Sequence, residues 1–133
     1  MQIKKRVLCP ERLRQVPAQF SWVDQRLVRQ RYVERCEPAA WALYLVLVTV
    51  ADAQGLSYYS EASLERMLRL DHPSLRAARA QLCQAGLLVY QAPLYQVLAL
   101  EEPAPPWLPP RSGQTRSLKD ILAQVLENKG VQL

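Results

Sequence analysis

Residues 39–51, AAWALYLVLVTVA, run for thirteen positions without a charge, with Pro38 in front and Asp52, Gln54 and Gly55 behind. The run predicts a helix of three to four turns. Pro38 occupies the first-turn position, where its missing N–H removes no hydrogen bond, and Gly55 acts as the C-terminal stop. A buried strand is the rival, because Val46, Val48, Thr49 and Val50 are β-branched, but strands usually span only about 4–8 residues. A membrane span needs roughly 20 apolar residues, so no membrane association is expected. A helix apolar on every side belongs in an interior, and the rest of the chain is expected to wrap around it.

The chain offers 133 residues for that purpose, one domain with appendages. Residues 1–36 form a basic N-terminal arm: residues 1–20 mix basic and apolar side chains around Pro10 and Pro17 and read as an extended arm or an edge strand, and a short helix follows. Ser21 or Asp24 would cap that helix, which carries Val23, Leu27 and Val28 and turns Arg26 and Arg29–Arg31 outward. Beyond the central run, LSYY at 56–59 is a short strand and Ser60 opens a second helix. Leu64, Met67 and Leu68 share one face of that helix, opposite Arg66 and Arg69. A third helix spans about 73–85, with Asp71 or His72 as cap, Leu75, Ala78 and Leu82 inward, and Gly86 as stop. LLVYQ at 87–91 and LYQVLAL at 94–100 form a hairpin around Ala92-Pro93. Residues 101–116, EEPAPPWLPPRSGQTR, read as a proline-rich linker. Residues 117–133 open on a Ser117–Asp120 capping pair and continue as an amphipathic helix. The expected class is mainly α with a small β-hairpin wing, and residues 37–100 follow the element order of a winged helix-turn-helix.

That stretch also resembles the winged-helix domain of bacterial and plasmid replication initiators and related mobile-element-associated regulators. The resemblance is carried by WALYLVLV, DAQGLSYYS, LERMLRL, PSLRAARAQLCQAGLLVY and PLYQVL. Its most diagnostic phrase is L-x-x-A-G-L-L at 82–88, where the recognition helix ends and the first wing strand begins. The resemblance implies double-stranded DNA as a partner and a role in replication or transposition.

Residue chemistry specifies where DNA would be met. A recognition helix needs one face that packs and another that reaches base edges and phosphates. The outward arc of the third helix holds Pro73, Arg76, Ala77, Ala80 and Gln84, flanked by Ser74, Gln81 and Arg79. For Arg79 an ion pair with Glu65 or Glu61 stands beside DNA contact as the alternative. Arg66 and Arg69 would clamp the backbone from the second helix. The wing tip, Tyr90-Gln91-Ala92-Pro93, carries no Lys or Arg. The net charge of +5 is concentrated elsewhere: residues 1–35 hold nine Lys/Arg against three acidic residues, a balance of +6. Lys4, Lys5 and Arg6 therefore serve as candidate phosphate contacts, in binding that salt would weaken steeply.

A second reading is a winged helix that serves only protein docking. Trp107 in the linker is a candidate anchor or packs back on the domain. The stripe Leu118, Ile121, Leu122 and Val125 either folds back or enters the groove of a partner or a second copy. Trp22, Trp41, Tyr44, Tyr58 and Tyr59 are expected mostly in the core. Cys9, Cys36 and Cys83 are odd in number and widely spaced, which implies reduced thiols in a cytoplasmic protein. MQIKKRVLCPERLR lacks the apolar segment of a secretory signal. With one histidine and four glycines, no phosphate-cradling loop and no nucleophile motif, the sequence implies no enzyme activity, cofactor or metal.

Overall fold

The computed structural model describes residues 2–101, and the first compact unit of the chain ends at Leu100. The linker and C-terminal helix expected at 101–116 and 117–133, with Trp107, Leu118, Ile121, Leu122 and Val125, lie beyond Glu101 and outside the described residues.

The elements follow in the order α1 (Arg26–Arg29), α2 (Pro38–Val50), β1 (Leu56–Tyr58), α3 (Glu61–Leu68), α4 (His72–Gln84), β2 (Leu88–Gln91) and β3 (Leu94–Val97). The fold is mainly helical with a small three-stranded antiparallel sheet ordered β1-β3-β2, and it is compatible with a winged helix-turn-helix. β3 lies in the middle: it pairs with β1 through Leu56↔Gln96 and Tyr58↔Leu94, and with β2 through Leu88↔Val97 and Gln91↔Leu94.

The central run is helical from Pro38, as expected, but Gly55 does not end it. Ala51 leaves the helix in an extended conformation. Asp52 then builds the turn, its Oδ1 accepting from the N–H groups of Gln54 at 2.8 Å and Leu56 at 2.9 Å. Gly55 sits at the end of this turn with φ +85, where its carbonyl accepts from Val97 N–H at 2.9 Å. Gly86 does serve as a helix stop. Its φ is +76, and the N–H of Leu87 closes back on the carbonyl of Leu82 at 3.0 Å, the 6→1 bond of a Schellman ending.

The core consists of Leu43 and Leu47 of α2, Leu64 of α3, Leu75 and Leu82 of α4, and Leu87, Leu88 and Tyr95 of the hairpin, all fully buried. Each side chain stabilises the fold by about 1.5–3 kcal/mol relative to leaving it exposed. The most extensive helix packing is between α2 and α4, where buried Ala40 and Ala78 contribute small side chains.

The expectation that the chain wraps α2 completely is not met. Leu45 is 61% exposed, with Pro38, Ala42 and Thr49 on the same open side, and Val50, the last helical residue, is 38% exposed. Two helices and a three-stranded sheet can cover only one flank of a rod. Two further core expectations fail: Trp22, on the N-terminal arm, and Tyr58, on the edge strand β1, are each 73% exposed, and Met67, on the face shared with Leu64 and Leu68, is 51% exposed. Tyr44 is buried, and Trp41 and Tyr59 are half-buried.

Residues 2–23 form an exposed arm without strand structure, so the edge-strand alternative is not realised; one 3₁₀ turn spans Pro10–Arg12. Ser21 ties the arm to the body, its hydroxyl donating to the Thr49 carbonyl at 3.0 Å. In α1, Leu27 is buried while Val28 is exposed, and Val23, expected on the short helix, lies before α1 and is exposed. Arg26 is not simply outward: its guanidinium pairs with Asp24 at 2.8 Å. Among the described residues no helix is long and apolar enough to cross a membrane.

Candidate nucleic-acid interface

Two side-chain caps set the helix pair that follows β1. The Ser60 hydroxyl accepts from Ser63 N–H at 3.1 Å at the start of α3. Asp71 Oδ1 accepts from Ser74 N–H at 2.8 Å at the start of α4. Hydrogen bonds from the Ser74 side chain and from its backbone N–H hold the Asp71 carboxyl below the usual aspartate range, because donors favour the charged form. Pro73 in the first turn of α4 has no N–H to satisfy.

With its start fixed, α4 divides cleanly. Leu75, Ala78 and Leu82 face the core, while Pro73, Arg76, Ala77, Ala80 and Gln84 are exposed, and Ser74, Arg79 and Gln81 are half-buried at the flanks. Cys83 joins the exposed arc, and it is a free thiol, as are Cys9 and Cys36. Arg66 is exposed on the last turn of α3, and Arg69 is exposed just past it. Arg69 adopts a left-handed conformation, φ 55 and ψ 44, at the position where glycine is easiest. Arg66, Arg69 and Arg76 thus lie on the two consecutive helices of the pair.

The flanking residues have protein partners. Gln81 Oε1 accepts the backbone N–H of Glu37 at 2.7 Å and so links α4 to the start of α2. For Arg79 the ion-pair alternative is the observed one, with Glu61 of α3. The same guanidinium donates to Tyr95 Oη at 3.1 Å and lies 4.1 Å from the centre of the Tyr90 ring. Burial works against the Arg79 charge, but hydrogen bonds to Tyr95 and Glu61 outweigh it and raise its pKa above the ordinary arginine value. Burial likewise pushes the Tyr95 phenol up, against the opposing influence of Arg79.

This cluster was only half visible in the sequence. The signal for its second half is the two-residue turn at Ala92-Pro93, which pairs Gln91 with Leu94 and hence Tyr90 with Tyr95. Their ring centres lie 4.5 Å apart, with the planes tilted by 36°. His72, the first residue of α4, brings Nδ1 to 3.4 Å from Glu61 Oε2 and 3.9 Å from Glu65 Oε1. Among the described residues no group of three or more His, Cys, Asp or Glu could hold a metal ion.

The wing tip, Gln91 to Leu94, is exposed and uncharged. Lys4, Lys5 and Arg6 are exposed on the arm, whose tie at Thr49 belongs to the end of α2 rather than to α3 or α4. Near that tie, Phe20, Trp22, Tyr44, Val48, Asp52 and Leu100 line a groove of about 480 Å³.

No family model matches the chain, and no curated protein matches it in sequence. Among solved structures, a chain from the structure of a Rep–DNA complex is similar with a TM-score of 0.42 and 13% identity, over 87% of this chain and 91% of that chain. A likeness of that extent supports no conclusion about fold or function.

Proposed function

We propose that this chain binds double-stranded DNA through a winged helix-turn-helix core and acts as a regulator or accessory factor in replication or transposition, without catalytic activity. The observation that carries the reading is the two-sidedness of α4. One face, Leu75, Ala78 and Leu82, is buried, while Arg76, Ala77, Ala80 and Gln84 stay exposed along the helix. A helix held this way can enter a major groove, about 12 Å wide, without unpacking. Arg76 then reaches a base edge or phosphate, Gln84 suits an adenine, and Ala77 and Ala80 offer only methyl contacts. Arg66 and Arg69 grip the backbone. Lys4, Lys5 and Arg6 add phosphate attraction from the arm. Gln81 and Arg79 contribute less, because both already have partners within the fold. The assignment to replication or transposition rests on the sequence resemblance alone. Fluorescence anisotropy with a labelled mixed-sequence duplex tests the reading. Arg76→Ala and Arg69→Ala each weaken binding, by about 1–3 kcal/mol where the lost contact is to a base.

One observation favours a second reading, protein docking without base readout. The wing tip exposes Leu94, 47% accessible, beside Gln91, Ala92 and Pro93, and offers no positive charge to a phosphate. In that case the chain co-purifies with a partner in the absence of nucleic acid, and deleting residues 117–133 releases it.

A further inference from the structure

The half-buried cluster behind the outward face of α4 touches every element of the proposed reading head. We propose that Arg79 is a positioning residue: it clamps the β2–β3 hairpin to α3 and α4, so that wing and recognition helix meet a duplex as one rigid surface. One guanidinium makes all three ties. It pairs with Glu61 of α3, donates to Tyr95 of β3 at 3.1 Å and lies over the Tyr90 ring of β2 at 4.1 Å. Its own side chain is only 13% exposed, so it is largely withdrawn from any approaching ligand.

The chemistry requires arginine. A planar guanidinium donates in its plane to Glu61 and Tyr95 while its face stacks on Tyr90. The compact ammonium of a lysine cannot do both. The location matters as well. Tyr90 and Tyr95 are cross-strand partners, and the next residues outward, Gln91 to Leu94, are all exposed. The clamp therefore grips the hairpin at the base of its free tip.

The consequence for DNA rests on the DNA-binding reading above, whereas the clamp itself does not. The tip carries no Lys or Arg, so its contacts release no counterions. Loosening it lowers affinity without changing the salt slope, whereas loss of a direct phosphate contact lowers that slope by about one.

The full chain is compared with its Arg79→Lys and Tyr95→Phe variants, the second removing only one hydroxyl. Amide hydrogen exchange at Tyr90–Tyr95 is followed by NMR without DNA, and duplex affinity is followed across salt concentrations. Exchange of the wing amides rises about tenfold in Arg79→Lys and less in Tyr95→Phe, while the α2 amides hold their rates. Affinity falls about three- to tenfold along parallel salt lines, and the footprint on the duplex shortens on the wing side. Unchanged wing exchange in both variants overturns the clamp, and a salt slope reduced by about one in a charge-removing Arg79→Gln variant, but not in Arg79→Lys, makes Arg79 a direct contact instead. Should Arg79→Lys accelerate the α2 amides equally, Tyr95→Phe decides by the same criterion. If the wild type binds no duplex, the DNA reading fails and the exchange data alone decide for or against the clamp.

Discussion

Two glycines with nearly the same φ should respond very differently to a single added carbon. Gly55 has φ +85 and Gly86 φ +76, both in the left-handed region. An alanine there costs about 1–2 kcal/mol in either position, partly offset by the reduced freedom of the unfolded chain. At Gly86 a Cβ meets nothing within 4 Å, whereas at Gly55 it lies 2.6 Å from the carbonyl oxygen of Val97. That oxygen belongs to the backbone of the central strand and cannot rotate away. Gaining clearance means separating β3 from the turn, and the bond from Val97 N–H to the Gly55 carbonyl, 2.9 Å long, weakens with it. A lost hydrogen bond of about 1 kcal/mol and residual repulsion of similar size put Gly55→Ala near 3 kcal/mol and Gly86→Ala near 1 kcal/mol. Urea titration followed by far-UV circular dichroism measures both, with equal m-values as the check that only the native state changed. In thermal melts the gap amounts to about 8–16 °C for a domain of this size. Equal destabilisation by the two substitutions would refute the close crossing of β3 over the α2–β1 turn.

Other substitutions test the open flank, the caps and the helix pair. Leu43→Ala, at a position with no exposure, costs about 2–5 kcal/mol, while Leu45→Ala, 61% exposed, stays within about 0.5 kcal/mol; comparable losses in urea would mean that α2 is enclosed after all. Asp71 and Asp24 have carboxyls held below the ordinary value of 3.8 by hydrogen bonds to Ser74 and Arg26 respectively. Their contribution is therefore complete above that pH and is lost as pH falls through the lower folded values. An Asp71→Ala, Asp24→Asn double variant melts earlier at neutral pH and shows a flatter acid limb; an unchanged limb argues against both bonds. Arg69→Gly relieves the left-handed backbone at φ 55 and raises stability by about 1 kcal/mol while duplex affinity falls. A gain in stability with no loss of affinity would remove Arg69 from the interface.

Local sequence signals carried much of this architecture. Pro38 and thirteen uncharged positions placed α2. Ser60, Asp71 and Gly86 marked helix ends because each acts on backbone groups within a few residues of itself. The spacing of Leu75, Ala78 and Leu82 located both faces of α4, since a helix converts sequence spacing directly into direction. What escaped depended on tertiary contact. Apolar composition cannot say how many neighbours a small domain has to offer, so Leu45, Trp22 and Tyr58 read as interior from sequence while the core stops short of them. The partner of Arg79 stayed open between two glutamates and DNA, because the choice depends on where the hairpin lands. The hairpin register, readable from the turn, would have added Tyr90 and Tyr95 to that choice.

In the proposed complex, Arg66, Arg69 and Arg76 on the α3–α4 pair hold a duplex. The most direct test of that hold is the salt dependence of duplex affinity for the wild type and for an Arg66→Ala, Arg69→Ala, Arg76→Ala variant shown by circular dichroism to be folded. Wild-type binding is expected at about 50 mM salt, with log affinity falling linearly as log salt rises, and a slope shallower by about two to three in the variant. No wild-type binding at that salt, or superimposable lines for the two proteins, would contradict the proposed complex.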